Sequence, residues 1–202
     1  YALNRPNYFN SFFYDCLIEC NEKLDEKTNY KYHYLNLYLS MLKNYNLNII
    51  TNEHYLPFNG KIDPTFTDYF HIHIDDRWSK FDIDFYNKFL NSLIVLSNSE
   101  KIYITSNING NEFFNNIKNN LSMCTNVKFN KNASLRELIN IIYNCHTSLS
   151  NHTGLTVHVA ASFKKNLIDI VSPNLNLHYD RWIPNKINYK RFNFNNFTNI
   201  FN

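Results

Sequence analysis

The stretch Ser150-Asn-His152-Thr153-Gly154-Leu155-Thr156-Val-His158 gathers hydroxyls, imidazoles and a glycine into nine residues of a chain that holds only 3 Gly. An apolar run, Thr147–Ser150, precedes it. A helix-like run with Ala160 and Ala161 follows, and then a second apolar run, Leu167–Val171. The order strand, polar turn, helix, strand aims backbone N–H groups and the positive end of a helix at one spot, which suits a phosphate or diphosphate. The amides of Thr153, Gly154 and Leu155 would do the cradling, with the hydroxyls of Thr153 and Thr156 assisting and His158 on the first helical turn. An ordinary strand-to-helix connection would use the same residues merely as caps. Spacing alone leaves both readings open.

A second group is His71-Ile-His73-Ile-Asp75-Asp76. Alternate residues of a strand face one side, so His71, His73 and Asp75 would converge on a metal. The string is similar to the HxHxDH pattern of metallo-β-lactamase-type hydrolases, with Asp76 in place of the final His. A buried strand holding two hydrogen-bonded imidazoles is the competing explanation. Arg77 and Lys80 come directly after, where either would neutralise a diphosphate, and Trp78 between them reads as a packing anchor. Glu112 opens a helix. It would accept hydrogen bonds from ribose hydroxyls, or serve only as a first-turn acid favoured by the helix dipole.

These residues need a scaffold, and the apolar pattern supplies one. From 69 to 171 the chain alternates strand and helix: strands near 69–74, 101–105, 127–129, 147–150 and 167–171, helices near 85–96, 111–121 and 135–144, and the helix-like run containing Ala160 and Ala161. Ser134-Leu-Arg-Glu137 has the capping-box form. Such alternation predicts an α/β fold, a Rossmann-like parallel sheet with helices on both faces. Ligands of these sheets bind beyond the carboxyl ends of the strands, so the loops 75–80, 106–112, 130–134 and 150–156 should share one edge. Before this region, apolar positions recur at helical spacing over 8–24 and 34–45. Pro57, Gly60 and Pro64 then mark a linker. The expected organisation is a helical segment at 1–61, a Rossmann-like domain at 62–185 and a tail at 186–202.

Composition narrows the function. The chain has 202 residues, 44% of them hydrophobic, and a formal net charge of +3 without a basic block. Electrostatics therefore gives no argument for a nucleic-acid partner. No apolar run approaches the roughly 18–20 residues a membrane span needs. The 4 Cys form no CxxC pair, as expected of reduced structural thiols in a cytoplasmic protein.

Three phrases resemble the C-terminal, donor-binding half of GT-B glycosyltransferases, and the heptosyltransferase-like family in particular. They are His73-Ile-Asp-Asp-Arg77-Trp78, then Phe129-Asn-Lys-Asn-Ala-Ser134-Leu135-Arg-Glu137-Leu138, then Ser150-Asn-His152-Thr153-Gly154-Leu-Thr-Val-His158-Val-Ala160-Ala161. The resemblance covers residues 69–185. It departs from the family pattern at His152, where the family has Asp, at the additional Val157, and at Asp76, where a basic residue is usual.

The resemblance implies transfer of a sugar from a nucleotide diphosphate sugar to a saccharide or lipid-linked acceptor, without a bound metal and without a cofactor. It implies a diphosphate held by Ser150, His152, Thr153, Gly154, Leu155 and Thr156. It gives Arg77 and His158 catalytic places, Lys80 a supporting charge, and Glu112 the ribose. It also implies an acceptor-side domain preceding this chain, polysaccharide biosynthesis as the setting, and peripheral contact with a membrane. Two other readings stand beside it: a metal-dependent hydrolase built on His71, His73 and Asp75, and a non-catalytic module of the same fold that binds a glycan or a partner.

Overall fold

The computed structural model describes residues 2–4, 17–19, 56, 58, 60–106, 111–171, 183–184 and 187–193. The chain divides into two compact units, Tyr1–Asn52 with Asp180–Trp182, and Glu53–Tyr179 with Ile183–Asn202. In the first, β1 (Ala2–Asn4) pairs in parallel with β2 (Leu17–Glu19). Helical spacing predicts a helix over 8–24, so β2 is a correction. The run Cys16-Leu17-Ile18 is too short for periodicity to separate helix from strand. The rest of that helix, and the one expected at 34–45, lie outside the described residues.

The second unit is built on a six-stranded sheet. Its strands are β3 (Tyr69–His73), β4 (Lys101–Thr105), β5 (Val127–Asn130), β6 (Thr147–Ser150), β7 (Asn166–Val171) and β8 (Tyr189–Asn193). Every neighbouring pair is parallel, in the order β5-β4-β3-β6-β7-β8. This is an α/β, Rossmann-like sheet of the expected class. Strand β8 lies past residue 185, in the stretch read as a tail. Its sequence, Tyr-Lys-Arg-Phe-Asn, carries too much charge for an interior parallel strand and fits the edge it occupies.

Among the described residues four helices connect the strands: α1 (Ile83–Leu96), α2 (Glu112–Asn120), α3 (Leu135–Asn144) and α4 (Gly154–Ser162). Each begins at a side-chain cap that accepts a first-turn N–H: Asp82, Asn111, Ser134 and Thr153. The capping box forms as its sequence predicts. Glu137 N–H donates to Ser134 Oγ at 3.3 Å, and Ser134 N–H donates to the Glu137 carboxylate at 2.8 Å.

The two sheet faces are filled differently. Phe70, Ile72, Ile102, Ile104, Leu149, Ile168 and Ile170 pack with Phe85, Phe89 and Leu93 of α1 and Phe113, Phe114 and Ile117 of α2. On the other face, Leu167 packs with Leu138 and Ile142 of α3 and Val157, Val159 and Ala160 of α4. The small Ala160, fully buried, lets α4 approach closely. Among the described residues no helix is long and apolar enough to cross a membrane.

Candidate functional site

The strand order reverses between β3 and β6, and ligands of open parallel sheets bind in the crevice at that switch point. Two segments flank it: the short 3-10 helix Asp76–Lys80 after β3 and the turn Ser150–Thr153 after β6. Asp75 caps the 3-10 helix by accepting from Arg77 N–H at 3.0 Å. The same carboxylate takes Arg77 Nε–H at 3.0 Å and Nη2–H at 2.7 Å. Trp78 is fully buried against Phe81, Phe85, Phe89 and Phe113, so the 3-10 helix is anchored from below. Arg77 Nη1–H donates to the His152 carbonyl at 3.1 Å, across the switch point. The third loop joins through Asn111, whose amide donates to the Asp75 carbonyl at 2.9 Å while its oxygen caps α2. The loops after β3, β4 and β6 are thereby laced together. The Arg77 side chain remains 32% exposed.

The turn before α4 is a closed polar network. The Thr156 hydroxyl donates to Ser150 Oγ at 2.8 Å, and Ser150 Oγ donates to Asp169 Oδ1 at 2.9 Å. His152 Nδ1 lies 2.6 Å from Asp169 Oδ2. Thr153 Oγ1 accepts from Thr156 N–H at 3.0 Å. Ser150, His152, Thr153 and Thr156, all expected to touch a ligand, are buried side chains serving the turn. His152 has φ 41°, in the left-handed region that non-glycine residues rarely enter.

What the turn leaves outward is backbone. Gly154 is exposed and Leu155 half-buried. As the first two residues of α4, their N–H groups have no intrahelical acceptor. Nothing lies within 4 Å of where a Cβ on Gly154 would sit, and its φ is outside the left-handed region. His158 follows Gly154 by four residues, so it is on the same helix face, and it is exposed. Lys80 and Glu112 are exposed, at the end of the 3-10 helix and the start of α2.

The second chemical group resolves differently. His71 Nδ1 lies 3.2 Å from Ser148 Oγ, and its Nε2 2.9 Å from Thr105 Oγ1. His73 Nδ1 lies 3.0 Å from the same Thr105 oxygen. Both nitrogens of His71 thus face hydroxyls, and Asp75 is held by Arg77. His71, His73 and Asp75 do not converge on a metal, and among the described residues no group of three such ligands forms. Burial pushes the His71 imidazole well below its ordinary range, helped by repulsion from His73. Burial likewise pushes His73 down to about 4, with Asp75 opposing and Arg77 adding to the shift. Two neutral, hydrogen-bonded imidazoles occupy the strand.

A cleft of about 260 Å³ opens at the opposite, amino end of the strands, lined by Phe70, Leu96, Glu100, His146, Asn166 and Lys190 among others. It lies away from the switch point and from every residue the sequence singled out. Conversely, pattern reading missed Asp169 and Asn111. Asp169 had a signal: a lone carboxylate inside Leu-Ile-Asp-Ile-Val, a buried parallel strand where charge is rare unless paired.

No family model matches the chain, and no curated protein matches it. Among solved structures it is similar to the heptosyltransferase WaaC of E. coli with ADP, at 16% identity and a TM-score of 0.44, over 63% of this chain and 37% of that one. The chain therefore spans just over a third of that protein's length. The site rests on its own geometry.

Proposed function

We propose that this chain is the donor-binding half of a metal-independent glycosyltransferase, and that Gly154, Leu155 and Arg77 seat the diphosphate of a nucleotide sugar. The observation that carries the reading is Gly154. In a chain with 3 Gly, this one has neither a left-handed backbone nor a neighbour that a Cβ would strike. Neither conformation nor packing requires it. Close approach of something outside the chain is the remaining reason for a glycine. The position carries two helix-terminal N–H groups without an intrahelical acceptor, on the far side of the switch point from a partly exposed guanidinium. Both favour an anion.

The chemistry is a displacement at the anomeric carbon. An acceptor hydroxyl oxygen forms the new C–O bond as the bond to the diphosphate oxygen breaks. The electron pair stays on the diphosphate, and Arg77 and the α4 N-terminus meet that growing charge. The acceptor proton leaves to a base on the acceptor side, outside this half. Lys80 adds a second cation and Glu112 accepts from ribose. His158, one turn behind Gly154, contacts the distal phosphate or sugar. Ser150, His152, Thr153 and Thr156 hold the turn in shape. The saccharide or lipid-linked acceptor, an acceptor-side domain and a cytoplasmic setting with peripheral membrane contact belong to the same reading.

Isothermal titration with ADP-, GDP- and UDP-sugars tests it. One of the three should bind, and Gly154→Val, whose side chain would fill the approach, should weaken it at least about tenfold, or ~1.4 kcal/mol. Silence of the unmodified chain toward all three would end the proposal.

A further inference from the structure

Arg77 can grip a leaving group only if its guanidinium is held toward the switch point. Asp75 supplies two of its bonds, but both come from its own loop. The bond that carries Arg77 across to the β6 side is Nη1–H to the His152 carbonyl. That carbonyl belongs to a residue at φ 41°. A non-glycine residue leaves that conformation unless its surroundings hold it there. Asp169 holds the side chain of His152, 2.6 Å from Nδ1, on a carboxylate with no exposed surface. The other carboxylate oxygen is fixed by Ser150 Oγ at 2.9 Å, itself fixed by Thr156. Asp169 is therefore rigid, while the loop above it is strained.

We propose that Asp169 is the positioning residue for Arg77, acting through the His152 peptide. The buried carboxylate pins the imidazole. The pinned imidazole keeps the backbone left-handed, and the left-handed backbone turns its carbonyl to Arg77. Asp169 touches neither substrate nor Arg77. The consequence for ligand affinity rests on the diphosphate reading above; the consequence for Arg77 does not.

Glycine separates this mechanism from a general need for the buried pair, because it accepts φ near 41° without being pinned. The first readout needs no ligand: hydrogen exchange of the Arg77 Nη protons, followed by NMR. The second is the affinity for inorganic pyrophosphate by titration. In Asp169→Ala the Nη protons should exchange freely, and pyrophosphate binding should fall about tenfold, as for loss of a charged hydrogen bond. Adding His152→Gly to that variant should restore protection and most of the affinity. Should Asp169→Ala not fold, the pair His152→Gly and His152→Ala decides alone. Both lose the imidazole, and only the glycine variant should keep Arg77 protected. Protection unchanged in Asp169→Ala, or glycine and alanine behaving alike, would overturn the proposal. Protection that follows the predicted pattern while pyrophosphate binds no variant, the unmodified chain included, supports the positioning role and removes the diphosphate reading.

Discussion

The two faces of the parallel sheet are made of the same four central strands and do opposite things. Residues 70, 72, 102, 104, 149, 168 and 170 turn only hydrocarbon toward α1 and α2. Residues 71, 73, 105, 148, 150 and 169, one place along on the same strands, turn imidazole, hydroxyl and carboxylate the other way. The apolar face has no directional demands and is filled by aromatic rings. Even the indole nitrogen of Trp78 has no hydrogen-bond partner among the described residues. The polar face is a chain of matched donors and acceptors. Cys145, Ser148, His71, Thr105 and His73 form one run, with Thr156, Ser150, Asp169 and His152 as another. The lesson is a division of labour. One face supplies bulk burial, and the other trades burial for fixed geometry beneath the loops of the candidate site.

The largest effect should come from the apolar face. Phe89 is fully buried among Trp78, Phe85 and Phe113. Phe89→Ala should cost about 3–5 kcal/mol in urea unfolding, the range for a large aromatic lost from a packed core. A cost below 1 kcal/mol would mean that this face is not the main store of stability.

Acid should strike the other face. His73 sits at about 4 when folded against 6.5 as its ordinary value. Between those values the unfolded chain takes up a proton that the folded chain refuses, so stability rises with pH across the window. The stability is fully present above about 6.5 and is lost as pH falls toward 4. From His73 alone the loss approaches about 3 kcal/mol, at ~1.36 kcal/mol for each pH unit between the two values. His71 acts in the same direction. Unfolding free energies measured at pH 7, 5.5 and 4 should decline in that order. Replacing His73 with Phe should flatten the decline, and an unchanged slope in that variant would assign the acid sensitivity elsewhere.

The same contrast explains what could be read in advance. Alternating apolar runs identify the parallel sheet and its four helices, because burial on both faces leaves Ile-rich strands, and the capping box at Ser134 marks one helix start. The turn Ser150–Thr156 stands out because glycine is scarce here. Its internal wiring does not. Whether a buried serine or threonine hydroxyl serves a ligand or its own loop depends on a partner distant in sequence, Asp169, which local spacing does not encode. His71 and His73 mislead for the same reason. Their shared face follows from strand period, but Thr105 and Ser148, which occupy their nitrogens, come from neighbouring strands whose register no local pattern states.

Thr105 is where the polar face is most tightly shared, with two imidazoles on one hydroxyl. Thr105→Val keeps the shape and removes the oxygen, leaving two buried ring nitrogens short of a partner. The expected cost is about 1–3 kcal/mol. Thr105→Ser retains the hydroxyl and should recover most of it. If Ser costs more than Val in urea unfolding, the methyl that only Ser lacks is what matters, and the polar face is packing like its counterpart.

The smallest effect on stability should be the most informative about function. Gly154 opens α4 with nothing within 4 Å of its missing Cβ. Gly154→Ala should therefore leave the fold intact, and removing the glycine's freedom in the unfolded chain should raise stability by about 0.4–1 kcal/mol. Glycine at this position forgoes that gain, and the demand proposed to outweigh it is room for a phosphate at the helix N-terminus. Thermal unfolding and nucleotide-sugar titration of the same variant put the two terms side by side. Higher stability with weaker binding is expected. Higher stability with unaltered binding would show that the open space before α4 receives no ligand, and the carboxyl edge of the polar face would then be a structural device alone.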